Sequence, residues 1–180
     1  MTEGAFLTGE RVSLRPVERE DLPFVRDGVN HPDVRGAVGQ PMPSNLPTEE
    51  RWYDEANRNH DVLQLLVCDE GIRVGMVELD PIDREDGTAD LAFWIHPDHR
   101  ERGYARDAIE TLLDYTFTEL RIHKVTANAF APNQASRNLL GDLGFTEEGI
   151  GREDAYLDGR YVDTHYFGLL EGEWSERRDG

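Results

Sequence analysis

The 180-residue sequence predicts an α/β protein with a mixed, mostly antiparallel central sheet of about seven strands and flanking helices. Three observations lead there. Apolar runs of strand length follow one another and are split at Glu70-Gly71 and Asp158-Gly159, both hairpin signals. A long helical pattern separates "ADLAFWIHP" from "HKVTANAF", which implies one parallel crossover among antiparallel neighbours. A second helical pattern, from Asn133 to Gly144, precedes the last hairpin.

The elements follow in order. "RVSLRPV" (Arg11 to Val17) alternates apolar and polar residues and reads as the first strand. "EREDLPFVRDGVN" supplies a short helix with Leu22, Val25 and Val29 on one face. From His31 to Pro47 the chain is rich in Pro, Gly and Asn and reads mostly as loop. Thr48 is placed to cap a helix whose first turn carries Glu49 and Glu50, the sign a helix dipole favours. "LQLLVCD" and "IRVGMVELD" form the first hairpin, and "PIDREDGT" is a polar turn. After the strand that stops at Pro97, Ala105, Ala108, Ile109, Leu112, Leu113, Thr116 and Leu120 recur at helical spacing. Asn133 caps the next helix, with Ala135, Leu139, Leu140 and Leu143 on it and Gly144 stopping it. "EDAYLDGRYVDTHYFGLL" closes the sheet. Residues 1–172 read as one domain and 173–180 as a charged, frayed tail.

Composition narrows the function classes. With 37 acidic against 19 basic side chains, the net charge of -18 argues against a nucleic-acid partner, which needs a positive face. Lys124 is the only lysine, and strong acidity with arginine in place of lysine resembles proteins of salt-loving organisms. No apolar run approaches the ~20 residues of a membrane span, so the reading is a cytoplasmic protein without a membrane partner. Cys68 alone excludes an internal disulfide and reads as a small buried hydrophobe. His96 and His99 form H-x-x-H, but Pro97 prevents helical ligand spacing and no third ligand is at hand, so no metal is expected.

Against that acidic background, Arg100, Arg102 and Arg106 cluster around Gly103 where a strand gives way to the long helix. Such a turn leaves backbone N–H groups unpaired at the positive end of the helix dipole and favours phosphate. The alternative is a solvated turn whose arginines pair with Asp98, Glu101 and Asp107. Neither a G-x-G-x-x-G fingerprint nor a Walker loop is present.

Arg100-Glu101-Arg102-Gly103-Tyr104-Ala105 resembles the Q/R-x-x-G-x-G/A signature of the GNAT N-acetyltransferases, which bind acetyl-CoA. The resemblance spans nearly the whole chain. "VSLRPVEREDLPFV" is similar to the family's opening strand and helix, "NQASRNLLGDLGFTEEG" to a later helix and strand, and "YLDGRYVDTHYFGLL" to the RimJ/RimL-like branch that acetylates ribosomal-protein N-termini. It implies the acyl-CoA N-acyltransferase fold and assigns the CoA pyrophosphate to N–H groups from Arg102 through Gly103, Tyr104 and Ala105 to Arg106. By the same resemblance Phe93, Trp94 and Ile95 pair with the pantetheine arm, Asn133 contacts that arm near the thioester, and a homodimer is an expected assembly.

Acetyl transfer needs a neutral amine, a polarised thioester carbonyl and a proton for the departing thiolate. The resemblance implies the Ile95 N–H for the carbonyl. Leu140 occupies the position of the family's usual tyrosine acid, which leaves the Ser136 hydroxyl for that role, with a bond back to the capping Asn133 as its alternative. For the base, Glu78, Asp90, Asp154 and Asp158 are candidates, though each reads more readily as a solvated surface acid in so acidic a chain; Trp52 and Tyr53 are candidate acceptor-pocket walls. Without an obvious base, an amine of low pKa suits best. The leading expectation is therefore acetyl transfer to a peptide N-terminal α-amine. Its alternatives are a small amine (aminoglycoside, polyamine or amino acid) or a non-catalytic acyl-CoA sensor.

Overall fold

Glu70 and Gly71 take φ of 46° and 89°, and Asp158 and Gly159 take 49° and 83°. Two positive φ values in succession suit tight two-residue turns between twisted strands. In the structure, a computed structural model describing residues 4–180, these turns join β3 (Leu63–Asp69) to β4 (Ile72–Asp83) and β7 (Thr146–Leu157) to β8 (Arg160–Leu170). With β1 (Leu7–Thr8), β2 (Ser13–Pro16), β5 (Thr88–Ile95) and β6 (Lys124–Phe130) they make an eight-stranded sheet in the order β1-β2-β3-β4-β5-β6-β8-β7. The eighth strand is β1, two residues long and too short to carry a sequence pattern. Only β5 and β6 pair in parallel, across the crossover made by α4 (Tyr104–Thr118).

Helices cover both faces. On one, α4 buries Ala108, Ile109, Leu112 and Leu113 against Val77, Leu91 and Val125, and α5 (Gln134–Asp142) adds Leu140. On the other, α1 (Leu22–Asn30) sets Leu22 and Val25 on Leu66, Cys68 and Met76, beneath α3 (Leu46–Ala56). Strand β3 is buried from both sides, so its sequence is a continuous apolar run rather than an alternating one.

Three expectations are corrected. The stretch expected as loop from His31 to Pro47 contains α2 (Pro32–Val38): His31 Nδ1 accepts from Asp33 N–H at 3.2 Å, and Gly39 ends the helix at φ 69°. Helix α3 is capped by Asn45, whose Oδ1 accepts from Thr48 N–H at 3.0 Å, so Thr48 lies inside it. The segment expected to fray is α6 (Glu171–Asp179). Its Trp174 is buried and donates to Asp114 Oδ1 at 2.8 Å, while Arg178 pairs with Asp114 at 2.7 Å.

Candidate active site

Strands β5 and β6 hold together only from Thr88↔Lys124 to Leu91↔Ala127. Beyond that, β5 continues beside β4 to Ile95↔Gly75 and β6 beside β8 to Phe130↔Thr164, so the two diverge and a gap opens between them. His96 N–H donates to Val74 O at 2.8 Å. Alternation along an antiparallel strand then turns the N–H groups of Ala92 and Trp94 toward β4, and those of Phe93 and Ile95 into the gap. A ligand carrying amides in an extended arm finds strand-like partners there.

The gap leads to the N-terminus of α4. Gly103 sits at φ 79°, where a side chain would be strained, and being glycine it offers no cap. The first helical bond runs from Asp107 N–H to Gly103 O at 3.1 Å, leaving the N–H groups of Tyr104, Ala105 and Arg106 without intrahelical partners. These amides, aligned with the helix dipole, fit a diphosphate.

The arginines are less uniform than expected. Arg106 lines the cleft while pairing with Asp142 at 3.1 Å and Glu110 at 3.5 Å. Arg100 also lines it, but its guanidinium is spent on carbonyls, with Nε donating to Ile95 O at 3.2 Å and Nη2 to Asp33 O at 3.3 Å. It ties α2 to the end of β5. Arg102 is exposed beside Asp98 O at 3.4 Å and stands outside the cleft wall. The carboxylate of Asp107 meets none of them: it accepts from the N–H groups of Glu10, Arg11 and Val12 at 2.8–2.9 Å. Arg11, which no sequence signal marked, lies 3.5 Å from where a Gly103 Cβ would stand.

The cleft, about 510 Å3, ends at the first turn of α5. Asn133 Oδ1 accepts from Ser136 N–H at 3.2 Å, so it is the backbone of Ser136 that is capped. Its hydroxyl has no partner among the described residues. Behind this point a second chamber of about 380 Å3 opens under α1, α2 and α3. Ala37, Phe93, Trp94, Asn133 and Ser136 line both spaces, so the two meet at Ser136. Trp52 lines the second chamber; Tyr53, expected beside it, faces a separate hollow near Val62. Trp94 is fixed by stacking on Phe24 at 5.5 Å and by Gly28, where a Cβ would collide with the indole.

Three carboxylates line the second chamber: Glu49, Glu78 and Asp90. None forms an ion pair among the described residues. Burial pushes the Glu49 carboxyl upward, opposed only by the Ser44 hydroxyl. Burial and the charge of Asp80 push Glu78 up, against a weak bond from Gln64. Burial does the same to Asp90, against a 2.8 Å bond from Thr126 Oγ1. Of the four acids considered as bases, Glu78 and Asp90 thus reach the chamber. Asp154 instead accepts from the Tyr166 hydroxyl, and Asp158 forms the β7–β8 turn. Glu49 was missed as a site residue because a first-turn acid reads equally well as a dipole partner. His96 and His99 stand with ring centroids 6.0 Å apart, and no cluster of three metal-ligating side chains occurs among the described residues. No helix among them is long and apolar enough to cross a membrane.

A strand gap beside an uncapped helix N-terminus, joined to a separate chamber, defines an enzyme that brings an extended phosphate-bearing donor to a second substrate. The family follows: residues 11–146 match the acetyltransferase (GNAT) domain model, and the chain belongs to that family of N-acetyltransferases. It is 28% identical over 170 residues to spermidine N(1)-acetyltransferase of Vibrio cholerae, covering 94% of this chain and 98% of that one. A putative ribosomal N-acetyltransferase of Bacillus subtilis, YdaF, is 32% identical over 129 residues, 72% of this chain and 68% of that one. Among solved structures, the V. cholerae spermidine N-acetyltransferase in complex with CoA and spermine superposes with a TM-score of 0.88 at 28% identity, covering 92% and 98% of the two chains. These likenesses do not single out the RimJ/RimL-like branch expected from the sequence, since the match to a spermidine enzyme spans more of the chain than the match to a ribosomal one.

Proposed function

We propose that this chain moves the acetyl group of acetyl-CoA onto a primary amine of a small polycation of the spermidine type, both substrates being bound together. This replaces the peptide α-amine as the leading reading. The observation that carries it is the chamber behind Ser136, lined by the buried carboxylate of Glu49 and the half-buried ones of Glu78 and Asp90, none of them ion-paired among the described residues. Buried charge is stable only when paired, and an acceptor with several ammonium groups supplies the partners. The likeness to spermidine acetyltransferases over nearly the full chain supports the same choice. The case for an α-amine rested on the lack of a base, and Glu78 and Asp90 remove that premise.

Acetyl-CoA, when bound, supplies the activated acyl group. The amides of Tyr104, Ala105 and Arg106 hold its diphosphate, with Gly103 letting the backbone come close. Phe93 and Ile95 pair with its arm through the N–H groups that face the gap, and the amide nitrogen of Asn133 is left free by the cap to contact it. The Ile95 N–H polarises the thioester carbonyl, where charge builds in the transition state. Glu78 stands opposite Ala92, two residues along the strand nearer the junction than Asp90. Its raised pKa makes it a stronger base than a solvated carboxylate, and it takes a proton from the acceptor ammonium to free the lone pair that attacks. Ser136 Oγ gives its proton to the departing sulfur and regains one from the newly acylated nitrogen, leaving a neutral amide and the CoA thiol.

The test is CoA thiol release with three acceptors: spermidine, a monoamine such as propylamine, and an unblocked peptide. Spermidine is expected to give the highest kcat/KM. Preference for the peptide, or no turnover of any amine, overturns the reading. Glu78→Gln should also remove the acid limb of the pH–rate profile, because that limb is protonation of the base as pH falls through its raised pKa.

A further inference from the structure

Helix α1 ends at Asn30, and the side chain of that residue makes a two-point grip on a distant loop. Asn30 Nδ2 donates to Ser44 O at 2.8 Å, and Asn30 Oδ1 accepts from Ser44 N–H at 2.8 Å. A primary amide used in this way imitates a β-bridge and holds both backbone polar groups of one residue. Ser44 is held by two bonds and buried, and its hydroxyl donates to Glu49 Oε1. Glu49 lies in the first turn of α3, beyond the Asn45 cap, only 6% exposed and facing the acceptor chamber. The helix dipole there favours negative charge.

This chain of contacts runs from α1 through the α2–α3 loop to α3, and its outcome is one carboxylate in fixed position. A carboxylate needed for packing alone is cheaper to replace by an amide or an apolar group of similar shape. No cation among the described residues pairs with it: the arginine on its own helix, Arg51, reaches only Thr48 Oγ1, at 3.5 Å. Glu78 and Asp90 stand on the sheet wall and Glu49 on the helix wall, so the chamber carries negative charge on two sides.

Resting on the polyamine reading above, we infer that Asn30, Ser44 and Glu49 form a specificity device: Glu49 binds an ammonium group remote from the reacting nitrogen, and Ser44 and Asn30 are the positioning residues that hold it. The device selects acceptors with a second cationic centre over monoamines. It takes no part in proton transfer at the attacked amine, so its loss acts on acceptor binding and leaves the chemical step alone.

The experiment is steady-state kinetics of the full chain and of Glu49→Gln with acetyl-CoA, using spermidine and propylamine as acceptors. Glutamine keeps the shape and still accepts from Ser44. The expected result is a ~10- to 100-fold rise in KM for spermidine, the usual consequence of neutralising one member of a buried charge pair. The KM for propylamine, the KM for acetyl-CoA and kcat should each move by less than ~2-fold. Ser44→Ala, which keeps the carboxylate but frees it, should raise the spermidine KM by a smaller factor in the same pattern, and decides the matter should Glu49→Gln fail to fold. Equal losses for spermidine and propylamine, a fall in kcat at unchanged KM, or no change overturn the inference. If the unaltered chain does not acetylate spermidine, the polyamine reading itself fails; if it does and Glu49→Gln acts like it, only the device fails.

Discussion

Asp21 and Glu49 are both buried carboxylates near the start of a helix, yet they have opposite surroundings. Asp21 is fully enclosed, and Arg15 grips it through two bonds of 2.8 Å while Arg73 adds one of 2.5 Å. Burial alone would raise its pKa, but the bonds from Arg15, the Glu18 N–H and Arg73 together hold it below the usual carboxylate range. Glu49 meets one hydroxyl, and burial keeps its pKa raised. The first charge is completed by the protein and ties β2, β4 and the turn before α1 together. The second is left open toward a cavity. A charge that the fold neutralises reads as structural, and one it leaves unneutralised at a cavity wall reads as half of a binding contact.

Mutation should separate the two. The largest effect expected is from Ser136→Ala at the junction of the chambers, a loss of ~10²-fold or more in kcat with the KM for acetyl-CoA little changed, measured by thiol release. Next, Asp21→Asn should cost ~3–5 kcal/mol in urea unfolding, because two arginines lose their shared partner. A cost below ~1 kcal/mol would erase the contrast with Glu49.

Glu49→Gln should leave the ligand-free fold as stable, or more so, at neutral pH, the reverse of Asp21→Asn. The sign follows from linkage. A carboxyl with a raised folded pKa binds more protons folded than unfolded, so stability falls as pH rises from the ordinary carboxylate value through the raised one. Glu49→Gln should flatten that slope in a series of thermal melts. Asp21, with a lowered pKa, contributes stability that is present above the unfolded value and disappears as pH falls through the folded one. A cost smaller than that of Asp21→Asn is expected from Gly103→Ala. The new methyl meets Arg11 at an ordinary 3.5 Å, so the cost comes from φ of 79° and amounts to ~1–2 kcal/mol, with weaker acetyl-CoA binding by calorimetry.

The sequence announced the cofactor side of the molecule more clearly than the acceptor side. The strand running into Gly103 and α4, and the Asn133 cap of α5, are local patterns, and both took their expected place. Helix α2 escaped notice because seven residues with a single buried apolar side chain, Val34, show no periodicity, and proline and glycine disguise it. At α3, Pro47 reads with the loop that precedes the helix although proline is tolerated in a first turn. The last helix rests on one residue, Trp174, whose partner Asp114 is 60 positions away. The second chamber draws on α1, α2, α3, β4 and β5 together, and no local pattern reports such an assembly. In so acidic a chain, Glu49, Glu78 and Asp90 became distinguishable only once burial and the lack of a cation were visible.

On the polyamine proposal, the acceptor occupies the chamber behind Ser136 with its charges on those carboxylates. A crystal structure of the chain with CoA and spermidine tests it most directly. It should show one terminal nitrogen beside Ser136, ~3–3.5 Å from the site of the thioester carbon, and a second nitrogen on Glu49. Spermidine bound elsewhere, or a chamber that stays closed to it while CoA fills the gap between β5 and β6, would contradict the account.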